Sequence, residues 1–441
     1  MTRKSSMAIL FLVVLVDMIG FGIIIPFLTY MVAGLAEPGQ PIGRWVAALM
    51  AAYAGAMFLF SPFWGALSDR FGRRPVLMVG LVGNSFAFLI FGLSNSLWMA
   101  LFARLFAGMV NANISVTRAY IGDISEPHEV ARRQGILGAA FGVGFSIGPA
   151  IGGFLSAPAE WTWTSAFVGT IFETHPYLLP CLASSLLSLV GFLFAITKLE
   201  ESLPKSSRET VQKRSPVQTL KTNFTNIGKM YNRPVVSPIL WSMLFFWIGF
   251  TIMHVVLILF TMMAVSEGGF GFSEQDNGWI FTFVGIIGII TQGRLIGPLS
   301  DRFGSSTLMS SGFLICGLGL AIIPYVPPHL GLLGLLPVMG LVAFGNGLVT
   351  PSNMTLLTHV SGPKERGMVM GVSESLRALS SFAGVIIGGL VWDATVSKSG
   401  FFDFHTAFLF CGIFSLLGWI VFRFSNAFRA EDEILAAAEE D

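Results

Sequence analysis

A few ionisable side chains stand where the surrounding sequence is almost wholly apolar. Asp17 lies in VVLVDMIGFGIIIPFL, Arg104 in WMALFARLFAGMV, His254 in GFTIMHVVLILF, and Glu374 with Arg377 in GVSESLRALSSF. An ionised group in hydrocarbon costs at least ~2.5–3.5 kcal/mol, so such residues pair, line a wet cavity or move protons. Asp17 falls about ten residues into its run, or ~15 Å along a helix, near a bilayer midplane. An acid at that depth suits a proton carrier or a site for a cationic substrate, or else a structural pair with an arginine. Gly20, Gly22 and Pro26 follow it, so this helix is expected to break or bend. Arg104 sits ~10 Å into its run from the opposite side. Glu374 and Arg377, at i and i+3, can neutralise each other on one face, and Glu374 is a second proton-site candidate. His254 is either a group titrating near neutral pH or a hydrogen-bonded interior histidine.

Other polar side chains in apolar runs, Asn111, Asn113, Gln292, Asn346 and Asn353, either line a substrate cavity or join helices. Trp241, Phe245, Phe246, Trp247 and Phe250 form an apolar wall or face lipid, and Trp98, Trp161 and Trp163 fit interface anchors. No Walker loop, catalytic triad, dinucleotide fingerprint or metal-ligand spacing is present, so no enzyme, cofactor or metal is expected. Cys181, Cys316 and Cys411 lie in apolar runs and read as small buried residues. The net charge of +1 gives no reason for a nucleic-acid partner.

The elements that must hold these groups are membrane helices. Apolar residues make up 54% of the chain and charged residues 12%, against roughly 25% charged in a soluble domain. Twelve runs approach the ~20 residues a spanning helix needs. They lie near 7–33, 44–68, 75–93, 97–122, 134–156, 178–198, 236–262, 276–300, 306–326, 331–358, 367–392 and 404–425. The first is too long for a signal-peptide core and reads as a mature helix. Beta-barrel alternation is not seen. The expected fold is an all-α membrane protein: twelve transmembrane helices in two pseudo-symmetric six-helix bundles, 1–198 and 236–425, with a polar linker at 199–235 and a tail at 426–441. Most of the 26 Lys and Arg fall in loops on the N-terminal side, and only Arg44 and Lys398 in loops on the other. The positive-inside rule then places both termini in the cytoplasm.

The two halves share a phrase. Residues 65–75 read GALSDRFGRRP and residues 297–307 read GPLSDRFGSST, 232 positions apart. ARRQG at 131–135 and PKERG at 363–367 keep the same offset, each before a glycine-rich run. A repeat of this kind marks two equivalent halves, in transporters commonly with a binding site between them. In the first copy Gly65 is expected to allow close helix approach, and Gly72 a tight turn. Asp69 is expected to accept from donors at the start of the third run. With Arg70, Arg73 and Arg74 this loop can act as a latch, and Asp301 and Arg302 are its counterparts in the second copy. Gly144, Gly148 and Gly152, at i, i+4 and i+8, make one smooth helix face for a neighbour. Pro149 removes a hydrogen bond and bends that helix, with Gly153 beside it.

These residues carry a family resemblance. GALSDRFGRRP resembles the hallmark loop of the major facilitator superfamily, and RLFAGMVNA at 104–112 its fourth-span motif. GFSIGPAIGG at 144–153 matches the fifth-span motif of proton-coupled drug exporters, and VDMIGFGIIIPFL at 16–28 is similar to the first span of tetracycline/proton antiporters. The resemblance implies a twelve-span antiporter that exports small apolar or cationic compounds against protons by alternating access. It also implies proton transfer at Arg104 and pairing of Asp123 with the arginines of the 65–75 loop. Small molecules, protons and lipid are the implied partners, for a monomer in a bacterial cytoplasmic membrane. The alternative is a symporter or facilitator for a metabolite, nutrient or siderophore-like molecule on the same fold. Tetracycline exporters carry further acids in spans 3 and 9. Neither run has one here, which argues against tetracycline itself.

Overall fold

The structure, a computed structural model, describes residues 3–111, 113–126, 129–203, 225, 227–230, 232–361, 365–396 and 403–429. Much of the expected linker (199–235) and tail (426–441) lies outside the described residues. Among the described residues twelve helices are long and apolar enough to cross a membrane. Spans 1 to 6 are Met7–Leu35, Ile42–Phe71, Arg73–Gly92, Leu97–Ile124, Ile136–Leu155 and Leu178–Lys198. Spans 7 to 12 are Val236–Met262, Glu274–Phe303, Ser305–Tyr325, Pro328–His359, Met368–Val396 and Phe404–Arg423. An unpaired backbone group in hydrocarbon costs several kcal/mol, and the helix pairs nearly all of them internally. The all-α membrane fold is therefore what these apolar runs require.

Among the described residues two spans are interrupted. Span 4 stops at Val110 and restarts at Asn113, with Asn111 at φ −76°, ψ 86° between. Span 8 passes through a π-helical turn, Thr291–Leu295, that carries Gln292. Span 1, by contrast, is one unbroken helix from Arg3 to Leu35 through Pro26. The expected break is absent because its glycines serve packing: Gly20 faces the Phe88 ring, and Gly22 faces Pro149 and Gly148 of span 5.

By their contacts the residues form two compact units. Unit 1 comprises Met1–Thr219 with Phe272–Gly285, and unit 2 comprises Leu220–Gly271 with Ile286–Asp441. Within unit 1, span 1 is the central helix. It packs most extensively on span 5, then on span 6, and its Leu10, Val13, Val14, Ile23 and Phe27 are fully buried. Within unit 2, span 7 packs on spans 11 and 12, and span 9 on spans 10 and 12. Gly384 and Gly388 of span 11 lie against Ile248 and Ile252 of span 7. Their counterparts in span 5 lie the same way against span 1. Cys181, Cys316 and Cys411 are buried and free.

Candidate functional site

Asp17 is 3% exposed and sits in the core of unit 1. Its Oδ1 accepts from Asn113 Nδ2 at 3.0 Å and from Asn84 Nδ2 at 3.3 Å. Its Oδ2 is buried and, among the described residues, has no hydrogen-bond partner. A cavity with room for about one water molecule opens beside it, lined by Asp17, Tyr53, Asn84, Phe88, Phe91 and Arg104 among others. Arg104 is 5% exposed, its guanidinium 4.4 Å from the Tyr53 ring centre and 5.8 Å from that of Phe91. Its Nε also has no hydrogen-bond partner among the described residues. Aromatic faces offer a cation partial compensation for lost water. Among the described residues no ion pair joins Asp17 to an arginine. An acid and a cation therefore share one small chamber without a direct bridge between them.

The polar residues of span 4 divide between these two groups. Asn113 holds Asp17, and Asn111 donates to the Tyr53 hydroxyl at 2.7 Å. Asn113 thus faces a span 1 partner, and Asn111, where the first helical segment of span 4 ends, a span 2 partner. Asn84 and Tyr53 were not singled out in the sequence. Asn84 is the one strongly polar side chain in the span-3 run PVLMVGLVGNSFAFLIFG, which was the available signal. Tyr53 lies in an alanine-rich stretch and gave none.

The smooth face of span 5 packs on the helix that bears Asp17. A methyl group at Gly144 would sit 2.5 Å from Met18 Cβ, one at Gly148 2.7 Å from the Ile19 carbonyl oxygen, and one at Gly152 would overlap the Ile23 carbonyl. Gly153 faces elsewhere: its methyl would lie 2.6 Å from the Glu274 carbonyl oxygen and 3.1 Å from Gly278 Cα. Pro149 belongs to both contacts, its ring on Gly22 and its carbonyl oxygen on Gly278.

The loop at 65–75 is a charge network centred on Arg73. Arg73 is buried, bridges Asp69 at 2.5 Å and Asp123 at 3.0 Å, and donates to Ser68 Oγ at 2.6 Å. Ser202 Oγ donates to Asp123 at 2.9 Å. The backbone donors at the start of span 3 go to Glu201, not to Asp69: the N–H groups of Arg73 and Arg74 meet its two carboxylate oxygens at 2.8 and 3.2 Å. That is a favourable place for a negative charge. Arg74 donates to the Ile196 carbonyl at 2.6 Å, and Arg70 is exposed over the Phe71 ring. Gly72, at φ 106°, makes the turn that an L side chain resists. Gly65 departs from expectation: no atom lies within 4 Å of a methyl placed there, so it makes no close helix approach.

In unit 2 the second copy keeps the turn and loses the network. Gly304 has φ 75°, and its N–H meets Ser300 as that of Gly72 meets Ser68. Ser305 stands where the first copy has Arg73, and it pairs with Ser300 at 3.1 Å. Among the described residues no ion pair holds Asp301 or Arg302, and Arg302 lies over the Phe303 ring. The charge tie of this unit is elsewhere, in a bidentate Arg233–Glu365 pair at 2.6 and 2.7 Å. The Arg233 guanidinium holds the Glu365 carboxyl below the usual carboxylate range.

The remaining unit 2 candidates separate into two faces of span 7. Phe245 stacks toward Phe414 of span 12, with Trp241 beside it. Phe246, Trp247 and Phe250 form an aromatic cluster, and Phe250 also packs on His254, whose Nδ1 meets the Phe250 carbonyl at 2.9 Å. Arg377 bridges Glu374 at 2.9 Å and stands over Trp247. Gln292 is exposed on the π-turn, and Asn346 accepts from Thr350 within span 10. Among the described residues no group of His, Cys, Asp and Glu could hold a metal ion.

Comparison with known proteins extends these observations. The family model described as Major Facilitator Superfamily matches residues 10–385 and 269–438. The chain is 28% identical over 390 residues to the class B tetracycline resistance protein of Escherichia coli, covering 88% of this chain and 89% of that one. It is 26% identical over 418 residues to multidrug resistance protein 2 of Bacillus subtilis, covering 94% of each. Among solved structures its fold resembles the nucleoside transporter NupG (TM-score 0.72, 15% identity, 95% and 98% of the two chains). It also resembles the human organic anion transporter MFSD10 (TM-score 0.64, 20% identity, 96% and 100%). With the family model matched over most of its length, the chain belongs to the Major Facilitator Superfamily and is a multi-pass membrane transporter.

Proposed function

We propose that this transporter is a proton-coupled antiporter that exports small apolar or cationic compounds by alternating access, with Asp17 as its coupling acid. The observation that carries the reading is the Asp17 chamber. One carboxylate oxygen is fixed by two amides, and the other is buried and unpartnered beside a cavity shared with Arg104. Protonation removes the buried charge, and deprotonation restores it next to the Arg104 cation. Two protonation states of one buried group supply the energetic difference that selects between two conformations. The Gly144, Gly148 and Gly152 face carries that difference to span 5 through its backbone contact with span 1. Glu374 is held by Arg377 and is the secondary candidate. The similarity to tetracycline and multidrug resistance proteins supports export. The proposed setting is a bacterial cytoplasmic membrane, with a monomer whose termini face the cytoplasm.

Proteoliposomes with an imposed proton gradient test this reading, with a fluorescent lipophilic cation as probe. Wild type moves the probe opposite to the protons, and Asp17→Asn retains its thermal stability yet loses gradient-driven movement. Movement of the probe in the same direction as the protons would instead establish symport. Undiminished antiport by Asp17→Asn would remove Asp17 from coupling.

A further inference from the structure

The segment between spans 5 and 6, residues 156–177, is long for a connection, and loops beyond ~12–15 residues without extensive secondary structure usually have a function of their own. It closes on itself: the Ala157 N–H donates to the Pro176 carbonyl at 2.9 Å. Ala157 has φ 46°, the only non-glycine residue with positive φ among the described residues, a sign that the closed shape is held against local preference.

Inside the loop the aromatic side chains form a small core of their own. Trp161 stacks on Trp163 at 4.8 Å and meets Phe167 edge-on at 5.3 Å, and Phe167 meets Phe172 at 5.3 Å. Trp161 Nε1 donates inward to the Ser156 carbonyl. Glu173 turns back to accept from the Gly169 N–H at 2.7 Å. The exposed surface of the loop is mixed: Trp163 is 67% exposed, Val168 58% and Ile171 50%, beside the exposed polar residues Glu160, Thr162, Ser165, Thr170, Glu173 and Thr174.

This surface continues directly from the hydrocarbon-spanning part of unit 1. Phe154, in the last turn of span 5 and 55% exposed, packs on Trp161. By the count of spans, the loop lies on the face opposite the 65–75 loop. On that face the helix starts of unit 1 carry further tryptophans: Trp45 against Trp98, and Trp279 beside Phe154. Tryptophan is enriched at the depth where lipid headgroups meet acyl chains. Residues 156–177 contain no Lys or Arg to attract anionic headgroups.

We propose that residues 156–177 form an interfacial lipid anchor that inserts Trp163, Val168 and Ile171 among the upper acyl chains of the non-cytoplasmic leaflet. The partner is the lipid surface itself, whatever the headgroup. The anchor fixes the depth of the outer ends of spans 5 and 6, and it reaches beyond the transport reading because it holds whether or not protons are coupled.

The test is tryptophan fluorescence of the full chain in liposomes of phosphatidylcholine, either plain or brominated near the top of its acyl chains. The Trp163 signal is taken as the difference between wild type and Trp163→Phe, a variant that keeps a ring in the stack. The expected result is loss of most of that signal in brominated lipid, little loss to aqueous iodide, and the same outcome when anionic lipid is added. Quenching by iodide but not by bromolipid would place the loop in water and overturn the proposal. Protection from both quenchers would show the face covered by protein, such as a second copy, and would overturn it equally. Because the readout does not depend on transport, its failure is distinguishable from failure of the antiporter reading.

Discussion

A carboxylate with two amide donors on one oxygen and none on the other has only one oxygen free to take a proton. That asymmetry at Asp17 makes a coupling experiment possible at the level of single side chains. A hydrogen bond to a charged group contributes about 1.5–3 kcal/mol, so Asn113→Ala weakens the hold on Asp17 and lowers gradient-driven transport. In the Asp17→Asn background the same substitution causes little further loss, because residues acting through one group are not additive. Initial transport rates of the two single variants and the double variant check this. The Arg73 network makes a different claim. Arg73 is buried against two partly exposed carboxylates, so Arg73→Ala removes charge-assisted hydrogen bonds and costs about 1.5–3 kcal/mol. The neighbouring Arg70 is exposed, and Arg70→Ala stays within about 0.5 kcal/mol. Thermal unfolding in detergent separates the two; equal losses would mean that the network is not what holds the loop.

At the scale of elements, the contact between spans 1 and 5 is backbone against backbone. Overpacking such a contact costs about 1–3 kcal/mol. Gly148→Val therefore lowers the melting temperature and transport together, while Gly65→Ala, which meets no atom within 4 Å, leaves the melting temperature near that of wild type. The spans themselves were legible in the sequence because hydropathy over about twenty residues is a strong signal. The glycine face of span 5 was legible too, since its spacing alone makes a smooth stripe. What was not legible has a common cause. The cap at the start of span 3 comes from Glu201, 128 positions away in sequence, and no local pattern announces a partner at that distance. The π-turn in span 8 begins at Thr291, which lies against Gly347 of span 10, a contact no local pattern announces. The glycines of span 1 read as a hinge because a sequence does not say whether a small residue frees a helix or lets a neighbour in.

At the scale of the molecule, the repeated phrase predicted two related halves, and each unit carries the same Gly turn and a glycine-faced helix on its first span. The halves differ in charge. Unit 1 holds the Arg73 network and the Asp17 chamber, while at the matching loop unit 2 has a pair of serines and ties itself through Arg233 and Glu365 instead. In the proposed mechanism unit 1 is the half that senses protons, and substrate binding is linked to it. Linkage of this kind is reciprocal: a ligand that favours deprotonated Asp17 must release a proton when it binds. The most direct measurement is proton release from purified protein in weakly buffered detergent solution, on addition of lipophilic cations, neutral drugs and metabolites, for wild type and Asp17→Asn. The account predicts ligand-dependent release from wild type and none from Asp17→Asn at equal ligand occupancy. Saturable binding without proton release across a range of pH, or release that persists in Asp17→Asn, would contradict it.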